Sequence, residues 1–437
     1  MARGGGSATG ARVSTPSSPL RIADFRKFWF ARFMAVVATT GMVVIIGYQL
    51  YDVARAEYGM SIPQASLQLG ILGLVQFVPL FLLTPVAGVV ADMFDRRKVA
   101  AAAMCVDMII AGGLAVTTMF EIHSLPLLFF FAALHGSARV FVSPALSAIA
   151  PNIVPSELIP KAIALNSIAW QAGTVVGPAS YGFLFAHERD LPYWISLVLM
   201  VMASASIMLI RTLPPPSAHA RKTHPVRQIL HGFHFVWHER FLLGCITLDL
   251  FAVLLGGATA LLPVFARDIL QVGPEGLGPM RAAPAFGAAI VALLLSFRPF
   301  NTNVGVKMLL AVGAYGAATV AFGLSWNYWL SLGFLAVLGA ADMISVFIRN
   351  SLIQLNTPDE MRGRVSAISG VAVSASNELG EMQSGVAAAL LGASGAVVFG
   401  GGAAIVITAI WAWIFPEIRN ARTFEPHYRQ REHEHEG

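Results

Sequence analysis

The stretch Gly88-Val-Val-Ala-Asp92-Met-Phe-Asp95-Arg96-Arg97-Lys98 packs five charges into seven residues. Residues 67–90 before it are almost uncharged, and so is most of 99–120 after it. An apolar helix of about 20 residues crosses a bilayer core. Two such helices joined by a very short basic loop account for the pattern. Lys and Arg in short loops stay on the cytoplasmic side, so the stretch sets orientation as well as topology.

Composition agrees. The chain has 437 residues, 56% hydrophobic and 12% charged, about half the roughly 25% charged fraction of soluble domains. The mean hydropathy is +0.68. A soluble core cannot absorb that much apolar surface, so the surrounding solvent is lipid. The formal net charge of +5 sits in loops and tails, where the positive-inside rule explains it without nucleic acid. Cys105 and Cys245 stand alone in apolar runs, with no metal-ligand spacing. The Gly-, Ser- and Pro-rich start lacks a signal-peptide apolar region, so residues 1–22 read as a disordered cytoplasmic tail.

Twelve apolar segments follow, at 29–53, 67–91, 99–120, 125–147, 162–186, 192–210, 241–266, 277–297, 306–324, 328–353, 365–391 and 395–415. The even-numbered loops carry Arg96, Arg97 and Lys98, then Lys161, then Arg211, Arg221, Lys222, Arg227 and Arg240. Arg298, Lys307, Arg362 and Arg364 continue the series. The odd-numbered loops offer only Arg55, Arg189, Arg267 and Arg281. The bias predicts both termini in the cytoplasm. The expected organisation is an N-terminal bundle at 23–211, a linker at 212–238, a C-terminal bundle at 239–416 and a cytoplasmic tail at 417–437. Residues 226–238 look like a basic amphipathic helix lying on the inner leaflet.

The two halves carry a weak repeat. Pro155-Ser-Glu157 matches Pro358-Asp-Glu360 at an offset of 203 residues, and Gly136, Gly177 and Gly182 fall on Gly339, Gly380 and Gly385. The fold class is therefore an all-α membrane protein, twelve transmembrane helices in two pseudo-symmetric six-helix bundles. Parallel six-helix repeats of this kind occur in major facilitator transporters.

The 88–98 stretch resembles the loop between helices two and three of that superfamily, where a Gly, an Asp and an Arg pair recur. Met93 stands where a basic residue is common and Asp95 where a Gly is common. The resemblance implies a gate in which the Asp92 carboxylate, with Gly88, Arg96 and Arg97 around it, faces Arg362 and Arg364 at the start of helix eleven. A purely topological basic loop is the alternative. Gly173, Gly177, Pro178 and Gly182 resemble the fifth-helix motif of proton-coupled antiporters, with Tyr181 interrupting its end. Small residues at this spacing also serve ordinary helix packing. Residues 349–366 and 375–381 resemble the second half of the enterobactin exporter-like branch. That resemblance implies proton-driven efflux of a small amphipathic molecule, siderophore or drug-like, by alternating access.

Charges inside the spans cost about 2.5–3.5 kcal/mol each and read as functional by default. The candidates for cavity or coupling roles are Arg139, Asp249, Asp342, Arg349, Glu378 and Glu381. Arg139 and Asp342 are repeat-equivalent, with opposite charge, and are expected to face one another across the cavity. A buried structural ion pair fits the same pattern. Glu378 and Glu381 share a helix face at i, i+3. Asp107 lies within reach of a loop arginine. His231, His234 and His238 lie on one face of the linker helix, and the His433-Glu-His435 end reads as solvated, so no metal site is expected. There is no phosphate-binding GxxxxGK[ST] loop and no clustered catalytic motif, which argues against an ATP-driven pump and a membrane enzyme. An importer on the same fold remains the alternative direction. The expected partners are a small-molecule substrate and the lipid bilayer, with no nucleic acid. No cofactor is expected, since an ion gradient, most simply of protons, supplies the drive. The chain is expected to work as a monomer in the plasma (inner) membrane.

Overall fold

The computed structural model describes residues 18–212, 225–298 and 302–424. The first half holds six long helices: α1 (Ala23–Ala56), α2 (Ile62–Met93), α3 (Arg96–Met119), α4 (Leu125–Ile149), α5 (Ile159–His187) and α6 (Leu191–Met208). A linker helix α7 (Pro225–His238) leads to α8 (Arg240–Leu255), α9 (Gly273–Phe297), α10 (Val304–Gly323), α11 (Tyr328–Leu355), α12 (Asp359–Ile414) and the short α13 (Pro416–Arg419).

Ten of these stretches are long and apolar enough to cross a membrane. The difference from twelve has two sources. The helix α12 holds both of the last two spans, merged across a sharp reversal at Gly392 with φ 75° and ψ 164°, a conformation essentially confined to glycine. The fifth span, α5, is too rich in polar groups such as Asn166, Gln171 and Thr174 to stand among the ten. Trp326 and Trp329 at one end of the C-terminal half, and Trp413 near the other, are about three-quarters exposed, as aromatic side chains at membrane interfaces are.

Within the first half α1 packs on α5 and α6, α2 on α4, and α3 on α4 and α6. In the second half α8 packs on α12, α9 on α11, and α10 on α11 and α12. The halves meet along two seams, α2 against α12 and α5 against α9.

Glycines make these approaches possible, and the repeat offset is visible in what they touch. A Cβ on Gly136 of α4 would lie 2.9 Å from the Gln76 carbonyl of α2, and one on Gly339 of α11 would collide with the Pro284 carbonyl of α9. Gly177 of α5 faces Val37 and Thr40 of α1, as Gly380 of α12 faces Val253 and Leu254 of α8. Gly182 meets Pro274 and Gly278 across the α5–α9 seam, and Gly385 meets Ser66 and Gly70 across the α2–α12 seam. Each offset-matched pair thus makes the same approach in both halves.

The seventh span is broken. After Leu255 the chain passes through Gly256 and Gly257, a 3-10 turn at Ala258–Leu261 and a π-helical turn at Phe265–Ile269. Freed carbonyls inside a membrane need donors. Tyr315 of α10 donates to the Gly256 carbonyl at 3.0 Å, Ser384 of α12 to Gly257 at 2.9 Å, and Arg281 of α9 to Thr259 at 3.0 Å.

The region after 416 is not wholly a solvated tail. Ile418 is buried, and the Gly305 N–H donates to the Ala421 carbonyl at 3.0 Å. The His433-to-His435 end lies outside the described residues.

Candidate functional site

The membrane charges gather in three places. The first is the middle of the bundle, between the halves. Arg139 of α4 reaches Glu378 of α12 at 3.4 Å, linking the two halves. One turn along α12, Glu381 lies 3.7 Å from Arg281 of α9. Arg281, Glu381 and Gln76 line one pocket with Val43, Gly47 and Leu277. This arrangement overturns the expected Arg139–Asp342 contact: Arg139 pairs with Glu378 instead. The expected grouping of Glu378 with Glu381 on one face holds, but each has its own arginine.

The second cluster lies within the C-terminal half. Arg349 of α11 forms an ion pair with Asp249 of α8, and both are almost fully buried. Asp342 sits two turns from Arg349 on α11, partly exposed. Among the described residues it makes no hydrogen bond or ion pair.

The third cluster closes the distal face, the one opposite the chain ends. The Tyr51 hydroxyl at the end of α1 donates to Asp268 at 2.5 Å, and Arg55 lies 3.4 Å from the same carboxylate. Arg267 pairs with Asp52 at 2.9 Å and stands over the Tyr51 ring, 6.0 Å from its centroid. Arg189 adds a longer contact to Asp52 at 3.7 Å. These bonds tie α1 of one half to the π-helical turn of the other.

The gating stretch is partly visible. Asp95 caps the N-terminus of α3 by accepting from the Arg97 backbone N–H at 3.0 Å, and its carboxylate pairs with the Arg97 guanidinium at 2.6 Å. That hydrogen-bonded pair holds the Asp95 carboxyl below the usual carboxylate range. Arg97 also donates to the Ile210 carbonyl at the end of α6, at 2.5 Å. Arg97 therefore fastens the α2–α3 loop to its own half. Arg362 donates to the Gln354 carbonyl at 3.2 Å and Arg364 touches Met361. The surroundings of Gly88 and the side chains of Asp92 and His231 are not among those described.

The fifth-helix motif divides its work. Gly173 and Gly177 bring α5 onto α1, Gly182 brings it onto α9, and α5 continues through Pro178. His238 donates from Nδ1 to the His234 carbonyl at 2.8 Å, an intrahelical bond.

Some residues were missed by sequence reasoning. His135 of α4 meets Asp107 of α3 at 2.9 Å, both fully buried, so Asp107 is held inside its bundle and not by a loop arginine. Arg281, which the charge pattern assigns to a loop, lies inside the eighth apolar span. Arg32, inside the first, is 7% exposed, and its Nε has no hydrogen-bond partner among the described residues. Their position within apolar runs was the available signal. The distal cluster had none, because Arg55, Arg189 and Arg267 look like ordinary loop charges.

Comparison with known proteins places this geometry. Residues 14–434 match the family described as transmembrane secretion effector, a major facilitator family. The chain is 27% identical over 376 residues to the enterobactin exporter EntS of Escherichia coli O1:K1 / APEC, covering 86% of each. It is 26% identical over 410 residues to the protein of that name from Escherichia coli strain K12, covering 92% of this chain and 94% of the relative. The crystal structure of the peptide transporter POT in complex with sulfate superposes with a TM-score of 0.71, over 92% of this chain and 96% of that one, at 13% identity, a likeness of fold alone. The described helices and this match over nearly the whole length lead to one conclusion: the chain is an integral membrane protein of the transmembrane secretion effector family, within the major facilitator superfamily of secondary transporters.

Proposed function

We propose that the protein is a proton-coupled exporter of a small amphipathic organic molecule, siderophore or drug-like, working by alternating access. The observation that carries this reading is the pairing of Arg139 with Glu378 between the halves, beside Arg281 and Glu381, while the distal face is closed. Charged pairs that meet between two moving bundles can be exchanged for contacts with a substrate. The names of the relatives support the export direction and the substrate class. With both termini in the cytoplasm of a cell with an inner membrane, the closed distal face is the outer one and the cavity loads from inside. In this reading 23–211 and 239–416 move as two bodies joined by the 212–238 linker, and the monomer is the working unit. The drive is a proton gradient, without a bound cofactor.

Inverted membrane vesicles from a strain lacking its own exporters test this. With enterobactin as the probe, vesicles containing the protein should accumulate it when their interior is acidified, and a protonophore should abolish the accumulation. Accumulation insensitive to the gradient would remove proton coupling. Gradient-driven loss of preloaded enterobactin from these inverted vesicles would reverse the direction.

A further inference from the structure

Four carboxylates lie within the membrane helices near the two inner clusters, and three have an arginine each. Glu378 is held by Arg139, Glu381 by Arg281 and Asp249 by Arg349. Protonating any of the three leaves a guanidinium without its counter-charge in a low-dielectric interior, which is strongly unfavourable. Asp342 is the exception, since among the described residues no arginine pairs with it. A proton can arrive there and leave without stranding a cation.

The surroundings fit that role. Asp249, Arg349 and the Tyr315 phenol of α10 interact electrostatically with Asp342. Arg349 is occupied by Asp249. The Tyr315 hydroxyl donates to the Gly256 carbonyl at the break in the seventh span. On the other packed helices, Arg281 of α9 and Glu378 and Glu381 of α12 are already paired. The Asp342 residue is partly exposed. Tyr315 thus links Asp342 to the break at Gly256 in the seventh span.

We infer that Asp342 is the carboxyl group that binds and releases the coupled proton. The inference rests on the proposed proton-driven transport and names the group within it. The step is a simple proton transfer from water to the carboxylate, reversed on the other side of the membrane. Glu378 and Glu381 keep their arginines and serve the substrate.

The test uses the full-length protein in lipid vesicles and needs no substrate for its first readout. Difference infrared spectra, taken across the range in which carboxyl groups titrate, should show in the wild type, beside the band of the solvent-exposed carboxyls, a distinct protonated-carboxyl band from inside the membrane. That band should vanish in D342N and persist in E378Q, E381Q and D249N. D342E should restore it. In the transport readout, D342N should lose gradient-driven accumulation of enterobactin down to the equilibrative level, yet retain exchange of labelled for unlabelled enterobactin. Retained exchange also shows that the variant is folded. Persistence of the band in D342N, its absence in the wild type, or full gradient-driven accumulation by D342N would each overturn the inference. Lack of any enterobactin movement by the wild type would instead count against the transport reading, while the infrared result would still decide the proton site.

Discussion

Gly385→Ala offers a direct perturbation of the closed distal face. The substituted Cβ would lie 2.5 Å from the Gly70 Cα, 2.6 Å from the Gly70 nitrogen and 2.9 Å from the Ser66 carbonyl oxygen. Carbon atoms rest at about 3.5–4.0 Å, so the α2–α12 seam would have to open by about 1 Å. All three obstacles are backbone atoms, so no side chain can rotate away. Overpacking of this kind costs about 1–3 kcal/mol. The cost falls on the state in which the two halves touch at the distal face, and it is relieved when they part. A differential of that size shifts the balance toward the distally open state by about 5- to about 150-fold. Spin labels on cysteines at Tyr58, in the loop after α1, and Glu275, in the first turn of α9, both exposed at the distal ends of opposite halves, would read the change as a longer distance, with Cys105 and Cys245 replaced. Gly313→Ala is the control, because nothing lies within 4 Å of its Cβ position. An unchanged distance distribution in folded Gly385→Ala protein would refute the seam as a closed-state contact.

Asp268→Asn should also favour distal opening, because it weakens the bonds from Tyr51 and Arg55 that join α1 to the seventh span; the same label pair reads it, and a shift to shorter distances would contradict the latch. In a double-mutant cycle on melting temperature, Arg139→Ala with Glu378→Gln should give a coupling of about 0.5–3 kcal/mol, whereas Arg139→Ala with Asp342→Asn should be additive. Arg97→Ala should cost about 1.5–3 kcal/mol of stability, since it removes charged hydrogen bonds to Asp95 and the Ile210 carbonyl. The same pair gives a pH dependence. The folded Asp95 carboxyl titrates below its ordinary value of 3.8, so its contribution is full above that pH and is lost as the pH falls through the folded value. Acid melting curves should show that loss in the wild type and a smaller one in Arg97→Ala.

Membrane insertion and the number of spans were legible in the sequence because lipid imposes long apolar runs, and charges between them stand out. The glycine repeat was legible for a related reason: close helix approach tolerates no side chain, so Gly136 and Gly339, or Gly182 and Gly385, mark the same contact in each half. Residues 256–257 also announce a weak helix. Which charge meets which was not legible. Arg139 pairs with Glu378, not Asp342, because the two halves face each other across seams that no repeat offset encodes. Likewise Arg55, Asp52, Arg267 and Asp268 are unremarkable loop charges until α1 and the seventh span are brought end to end. Periodicity fixes the face of a helix on which a side chain lies. The partner depends on the rotation and height of the neighbouring helix, which packing of the whole bundle decides. Asp342 shows this most sharply: its position inside a span is a sequence fact, whereas its lack of a counter-charge exists only once every arginine near it has been taken by another carboxylate.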